Sequence, residues 1–163
     1  MNMHIALRPM QEKDLDALCT LVVNEEIKKT YMLPDFEDRL AADRMARRLM
    51  ALSLEETHFV RGIYADGALA GFLNDVEEEN GRIEIGYVVH PDHWNKGVAT
   101  AAVKLAIKAL FEKGFHTVRA AHFTENPASG RVMQKAGMHR IAYEDDFEYR
   151  GSWHHCIFYE ITK

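Results

Sequence analysis

The sequence is poor in the features that mark secreted and membrane proteins. Only two of its 163 residues are cysteines, Cys19 and Cys156, and neither lies in a paired-cysteine spacing, which favours free thiols over a disulfide framework. No segment approaches the roughly 20 apolar residues needed to span a bilayer, and the first residues lack the basic start and apolar run of a signal peptide. We therefore expect a cytoplasmic protein that contacts no membrane.

A surplus of positive charge is also missing. Lysine and arginine number 20 against 25 aspartates and glutamates, which gives a formal net charge of −5. A nucleic-acid backbone must be neutralised by basic side chains, so nucleic acid is disfavoured as the main partner. The composition, 47% hydrophobic and 28% charged, is typical of a globular protein. Since no repeat, linker or low-complexity tract divides the chain, we expect one domain over residues 1–163.

Two helices are predicted ahead of most of the strands. Residues 4–9 are typical of a short strand ended by proline. Apolar residues then recur at helical spacing over about 14–28, and a second amphipathic helix is expected over about 37–52. The apolar stripe of this second helix is expected to contain Leu40, Met45, Leu49 and Leu52.

From residue 57 the apolar pattern becomes that of strands joined by tight turns. Asp66-Gly67, Asn80-Gly81 and Arg150-Gly151 separate runs rich in β-branched and aromatic residues. A long helix over about 97–113 and the strand after it complete a strand-helix-strand unit with parallel strands, and a short helix is expected over about 128–136. The predicted fold is therefore α/β, with one mixed sheet and the element order β-α-α-β-β-β-α-β-α-β-β.

The segment YVVHPDHWNKGVAT, where a strand ends and the long helix begins, is the most informative part of the sequence. Helix N-termini leave backbone N–H groups unpaired and carry partial positive charge, so they bind phosphates. Gly97 lets the backbone approach a ligand closely. The donors expected around it are Asn95, Lys96, Val98, Ala99 and Thr100. This pattern predicts a phosphate-binding loop, with an ordinary glycine turn as the alternative.

At this loop the chain resembles the GCN5-related N-acetyltransferase (GNAT) superfamily, and within it the ribosomal-protein-alanine acetyltransferase (RimJ/RimL-like) branch. The family's pyrophosphate loop reads Gln/Arg-x-x-Gly-x-Gly/Ala, and Trp94, Asn95, Lys96, Gly97, Val98 and Ala99 occupy it here. Trp94 departs from the pattern, a change that recurs in the ribosomal-protein branch. The backbone contacts of the loop do not depend on that side chain.

Two further segments carry the same resemblance, and together with the loop they imply the reaction. Backbone groups around Val88 and Val89 match those that hold the pantetheine arm and the thioester carbonyl, and Asn126 and Ser129 match an Asn-x-x-Ser that contacts the cofactor. The resemblance implies acetyl-CoA as acyl donor, no metal, and direct attack by a primary amine of a protein N-terminus or a small molecule. An acyl-CoA sensor with the same fold but no turnover is the alternative, and a homodimer is compatible with the sequence.

Three side chains are candidates for proton transfer. Glu84 lies on the same strand face as Val88 and corresponds to a catalytic glutamate in some superfamily members, so it is the expected base. A partly exposed strand carboxylate is the alternative for Glu84, and Glu148, in the last hairpin, is the competing base. Many members use as acid a tyrosine seven residues beyond the asparagine. Met133 stands there in this sequence, so Ser129 is expected to take that role, with helix capping or a pantetheine hydrogen bond as its alternative.

The run His154-His155-Cys156 is the one segment with metal-ligand residue types close together. Neighbours on a strand point to opposite faces, so at most His154 and Cys156 share a side. No second pair of ligands lies nearby in the sequence, and we expect no metal site.

Overall fold

The computed structural model describes residues 3–163, and a mixed β-sheet forms its centre. Its seven strands are β1 (Ile5–Arg8), β2 (Val60–Ala65), β3 (Ala68–Glu79), β4 (Arg82–Val89), β5 (Thr117–Phe123), β6 (His139–Tyr149) and β7 (Ser152–Thr162). They lie in the order β1-β2-β3-β4-β5-β7-β6. The pair β4–β5 is parallel and the other neighbouring pairs are antiparallel, so the predicted mixed α/β sheet is confirmed.

The α-helices within the described residues are α1 (Leu15–Val22), α2 (Glu25–Lys28), α3 (Arg39–Leu52), α4 (Val98–Glu112) and α5 (Pro127–Lys135). The prediction of one continuous helix over 14–28 is wrong. Asn24 adopts an extended ψ of 120°, and its side chain accepts a hydrogen bond from the Ile27 N–H at 3.0 Å, which ends one helix and caps the next. Three α-helices therefore precede β2. None of the helices in residues 3–163 is both long and apolar enough to cross a membrane.

Helix α3 lies where it was predicted, and of the expected stripe Leu49 is buried while Met45 and Leu52 pack against the same core. Leu40 is 67% exposed, so its predicted place in the stripe is wrong. The buried residues of α3 are Ala42, Ala46, Leu49 and Met50. They share one core cluster with the apolar residues of α1, and the small alanines allow the two helices to approach each other.

The predicted glycine turns are present. Asp66 and Gly67 have φ values of 50° and 87°, and Asn80-Gly81 and Arg150-Gly151 show the same pair of positive values. Two successive residues with positive φ are typical of a type I′ turn, whose twist suits a β-hairpin. These turns join β2 to β3, β3 to β4 and β6 to β7.

Two hydrophobic cores lie on opposite faces of the sheet. Helices α4 and α5 cover one face, where Ile83 and Ile85 of β4 are buried. Helices α1 and α3 cover the other, where Phe72 of β3 and Val88 of β4 are buried. Because side chains alternate along a strand, successive residues of β4 contact different cores, and both faces of β4 reach the site described next.

Candidate active site

A cleft opens where the parallel strands β4 and β5 diverge. They pair only through residues 82–84 and 117–119, whereas β4 stays paired with β3 as far as Val89. The His90 N–H donates to the Ala70 carbonyl on the β3 side at 2.8 Å, so alternation turns the N–H and C=O of Val89 toward the cleft. A cavity of about 540 Å³ lies in this opening.

Helix α4 begins at the cleft without a side-chain cap. Gly97 occupies the N-cap position with a left-handed φ of 78°, and Val98, Ala99 and Thr100 of the first turn line the cavity. A Cβ at Gly97 would meet no atom within 4 Å, so the glycine is needed for its φ and not for space. The unpaired N–H groups and the positive end of the helix dipole therefore face the cleft, as anion binding requires.

Trp94 ties the loop before α4 to the end of β4. Its Nε1–H donates to the Val89 carbonyl oxygen at 2.7 Å, while the residue remains 43% exposed. This bond engages the carbonyl of Val89 and leaves the Val89 N–H as the main-chain donor that faces the cleft. The indole thus positions the loop against the end of β4. The family's Gln or Arg at this position is associated with phosphate binding, so this role was not expected.

A pair of hydroxyl groups connects the two sides of the cleft. The Tyr87 hydroxyl lies 2.8 Å from Ser129 Oγ and donates to the Ser129 carbonyl oxygen at 3.1 Å. Burial raises the pKa of Tyr87 well above its usual value, so the phenol keeps its proton at neutral pH. Sequence reasoning missed Tyr87, because nothing in the spacing of the two residues connects a strand residue with a helix 42 positions later.

Tyr31 lies against the other face of β4. Its hydroxyl donates to Asn74 Oδ1 at 2.7 Å and sits over Gly86, where a Cβ would come within 2.4 Å of the hydroxyl oxygen. Burial raises the pKa of Tyr31 as well. Tyr87 packs against the core under α4 and α5, and Tyr31 against the core under α1 and α3. The two phenols therefore lie on opposite faces of β4, and both line the cavity.

His122 is a second cleft residue that sequence reasoning missed. Its Nδ1 lies 2.7 Å from the Phe123 carbonyl oxygen, a bond that requires the proton on Nδ1 and makes Nε2 an acceptor in the neutral ring. Gly130 of α5 makes room for the ring, because a Cβ there would lie 2.7 Å from Nε2. The packing of a strand residue beneath a helix glycine leaves no signal in the sequence.

The cavity gathers almost all of the predicted cofactor-binding residues. Those that line it are Val88, Val89, Trp94, Asn95, Gly97, Val98, Ala99, Thr100, Asn126 and Ser129. Lys96 is exposed and lies outside the lining. Arg131 and Lys135, on the α5 side, line the cavity and bring positive charge to it.

Neither predicted base lines the cavity. Glu84 lies on the Gly86 and Val88 face of β4, and burial raises the pKa of its carboxyl while the nearby Arg119 lowers it in part. Glu148 is exposed on β6, opposite Trp153 of β7. A partly buried carboxyl with a raised pKa has the environment of a base, whereas Glu148 has that of a surface group, and both assignments stay predictions.

Within residues 3–163, no three His, Cys, Asp or Glu side chains are placed to hold a metal ion. His154 is paired with Glu125, and His155 is bonded to Glu144 and Asp146. Cys156 is buried with a free thiol. The histidines of this run therefore contact carboxylates that are spread over β6 and the loop before α5.

Sequence comparison identifies relatives over nearly the whole chain. The model of the GNAT acetyltransferase domain family matches residues 4–139. Over 156 residues the chain is 30% identical to a Bacillus licheniformis protein named "Uncharacterized N-acetyltransferase p20", and the match covers 88% of this chain and 84% of that protein.

Solved structures with the same fold include two acetyltransferases of the genus Vibrio. One is spermidine N-acetyltransferase from Vibrio cholerae in complex with CoA and spermine, with a TM-score of 0.81, 16% identity, and 97% of this chain and 95% of that chain covered. The other is ribosomal-protein-S5-alanine acetyltransferase from Vibrio fischeri, with a TM-score of 0.79, 16% identity, and 98% and 93% covered. Since the family model spans most of the residues and p20 is similar over nearly nine-tenths of them, the chain belongs to the GNAT acetyltransferase family and is an acetyl-CoA-dependent N-acetyltransferase.

Proposed function

We propose that the protein acetylates a primary amine, of a protein N-terminus or a small molecule, which attacks acetyl-CoA in the β4–β5 cleft directly. The observation that carries this proposal is the single cavity lined by the first turn of α4, the Val89 strand end and the Tyr87–Ser129 pair. Anion binding, carbonyl polarisation and proton transfer are thereby brought together in one place.

The residues present fit the diphosphate of coenzyme A. The first turn of α4 offers backbone N–H donors that need no rearrangement, and Gly97 supplies the left-handed φ at which the loop enters this turn. Arg131 and Lys135 add positive charge at the cavity. Trp94 holds the loop against β4 through Val89, so these donors stay fixed relative to the strand end.

The thioester of acetyl-CoA supplies an acyl group that is already activated toward amines. The protein's part is to position the reactants, polarise the thioester carbonyl and move two protons. The Val89 N–H, which faces the cleft, is the donor we propose for the carbonyl oxygen. Tyr87 and Ser129 hold a proton for the departing sulfur, so the acid role expected of Ser129 alone is shared with a phenol.

Glu84 is the base we propose, in preference to Glu148. Its raised pKa supports this role, and Gly86, two residues further along the same face, lines the cavity. Because the Glu84 carboxylate lies outside the lining, it accepts the amine proton through a water molecule. The exposure of Glu148 at the end of the β6–β7 hairpin offers it no comparable environment.

The acceptor approaches from the α2 side of the cavity, where Glu26, Ile27 and Lys29 line the wall together with Tyr31. Both acceptor classes occur among proteins of this fold by name, a polyamine in one case and a ribosomal protein in the other. The proposal therefore covers both classes, and a panel of acceptors decides between them.

The test combines calorimetry with a thiol-release assay. Titration with coenzyme A and acetyl-CoA measures binding, and release of free thiol is followed with polyamines, amino sugars and N-terminal peptides as acceptors. Thiol release together with an acetyl group located on the acceptor nitrogen by mass spectrometry supports the proposal. Binding without release on every acceptor supports the acyl-CoA sensor instead, and the absence of any affinity for coenzyme A overturns both.

A further inference from the structure

The turn between β6 and β7 contacts the segment that follows α2. The Tyr149 hydroxyl donates to the Lys28 carbonyl oxygen at 2.8 Å and accepts from the Leu33 N–H at 3.4 Å. Residues 116 to 121 positions apart in the sequence thus meet at one hydroxyl group. The chain between residues 28 and 33 is held at both of its ends.

Arg150 adds a bridge of charges beside this hydroxyl. Its Nη2 lies 2.7 Å from Asp35 Oδ1 and 3.1 Å from Glu25 Oε2, and its Nε lies 3.1 Å from Asp35 Oδ2. The buried Lys28 reaches the same carboxylate, with Nζ 3.2 Å from Asp35 Oδ1. One guanidinium therefore connects the start of α2 with the loop after it, through the bidentate geometry that suits arginine.

The region held in this way is one wall of the cavity. Residues 26, 27 and 29–31 line the cavity, and we call residues 25–31 the acceptor wall. Helix α2 has only four residues, and so short a helix is not stable by its own hydrogen bonds. Its position must therefore come from contacts made elsewhere. Ile27 is buried in the core shared with α1 and α3, Tyr31 is bonded to Asn74, and Tyr149 and Arg150 add polar contacts from the β6–β7 turn.

We infer that Tyr149 and Arg150, together the hairpin clamp, are positioning residues for the acceptor amine. They act through the acceptor wall, whereas the donors proposed for the coenzyme lie in the α4 turn, a separate part of the cavity lining. Losing the clamp should raise the KM for the amine and leave the affinity for coenzyme A unchanged. The role in positioning an amine rests on the proposed function, whereas the contacts of the clamp are independent of it.

The experiment compares Arg150→Ala and Arg150→Lys with Arg140→Ala. Arg140 is a matched control, because it lies on β6 and pairs with one carboxylate, Glu144, at 2.9 Å, away from α2. Hydrogen exchange over residues 25–36, acceptor KM and coenzyme A affinity are measured for each variant. We expect R150A to speed exchange and raise acceptor KM by roughly three- to tenfold, R150K to restore part of both, and R140A to change neither.

Two results would overturn the inference: unchanged exchange over residues 25–36 in R150A, or a loss of coenzyme A affinity as large as the rise in acceptor KM. If R150A does not fold, Tyr149→Phe keeps the ring and removes only the hydroxyl, and the same two readouts apply. Failure of the proposed function is distinguishable from failure of this inference. If the proposed function is wrong, neither the wild type nor any variant turns over an amine, and hydrogen exchange still shows whether the clamp holds the acceptor wall.

Discussion

Tyr87→Phe tests the hydroxyl pair with a change of one oxygen atom. The variant keeps the ring but removes the bonds to Ser129 Oγ at 2.8 Å and to the Ser129 carbonyl at 3.1 Å. A buried polar group left without a partner costs about 1–3 kcal/mol. Because the cavity admits water to this site, we expect about 1 kcal/mol, the lower end of that range. For a domain of this length the loss lowers Tm by roughly 2–4 °C.

The effect of Y87F on turnover should exceed its effect on stability. Loss of a general acid lowers kcat by about 100- to 10,000-fold, and since Ser129 remains, we expect about 100-fold. Coenzyme A affinity, measured by calorimetry, should not change. Tyr159→Phe is the matched control, because that hydroxyl accepts only a 3.3 Å bond from Gln134 and lies outside the cavity lining. Equal kcat values for Y87F and Y159F in the thiol-release assay would refute the assignment.

Three other substitutions test the remaining parts of the site. Glu84→Gln should lower kcat/KM about 100-fold, with Glu148→Gln as the control that keeps full activity. Burial raises the pKa of Glu84 above 4.5, so its stabilising contribution is present below pH 4.5 and is lost as pH rises through the raised value; thermal scans should show the wild type losing stability relative to E84Q over that window. Gly97→Ala and Gly114→Ala each place a side chain at positive φ, 78° and 106°, in open space, and each should cost about 1–2 kcal/mol in denaturant unfolding. Only G97A should also weaken coenzyme A binding by calorimetry, and equal binding by both variants would contradict the role of the α4 turn. Trp94→Phe removes the Nε1–H bond to the Val89 carbonyl and should weaken coenzyme A binding roughly three- to tenfold, a result that unchanged calorimetric affinity would exclude.

The parts of the fold that depend on local chemistry were predictable. Asp66-Gly67 and its two counterparts adopt the positive φ values of a type I′ turn, and Gly97 adopts a left-handed conformation that glycine allows. Apolar periodicity located α3 and most of its core-facing stripe, but it wrongly included Leu40, which is exposed near the start of the helix. One capping residue, Asn24, was enough to divide a helix that periodicity alone described as continuous.

The parts that depend on long-range contact were not predictable from a single sequence. Tyr87 and Ser129 come together because β4 and α5 meet across the cleft, and the imidazole of His122 fits beneath Gly130 because α5 also packs on β5. Met133, at the position where many superfamily members carry the acid tyrosine, is fully buried in the core. The phenol that reaches Ser129 is that of Tyr87, on strand β4, and not one at position 133 of α5. The spacing of residues within α5 gives no indication of this.

The divergence of β4 and β5 both opens the cleft and leaves backbone groups of β4 without a strand partner. Strand β5 pairs with β7 along all of residues 117–123 but with β4 only as far as Glu84, so the outward N–H and C=O groups of β4 beyond that point have no strand partner. Buried or half-buried backbone groups need hydrogen bonds, and Trp94 supplies one to the carbonyl of Val89. The groups that remain face the cavity, where amides of an extended ligand can pair with them as a neighbouring strand would. The divergence that weakens the sheet at this point is thus what gives the protein an ordered row of donors and acceptors beside the anion-binding turn of α4.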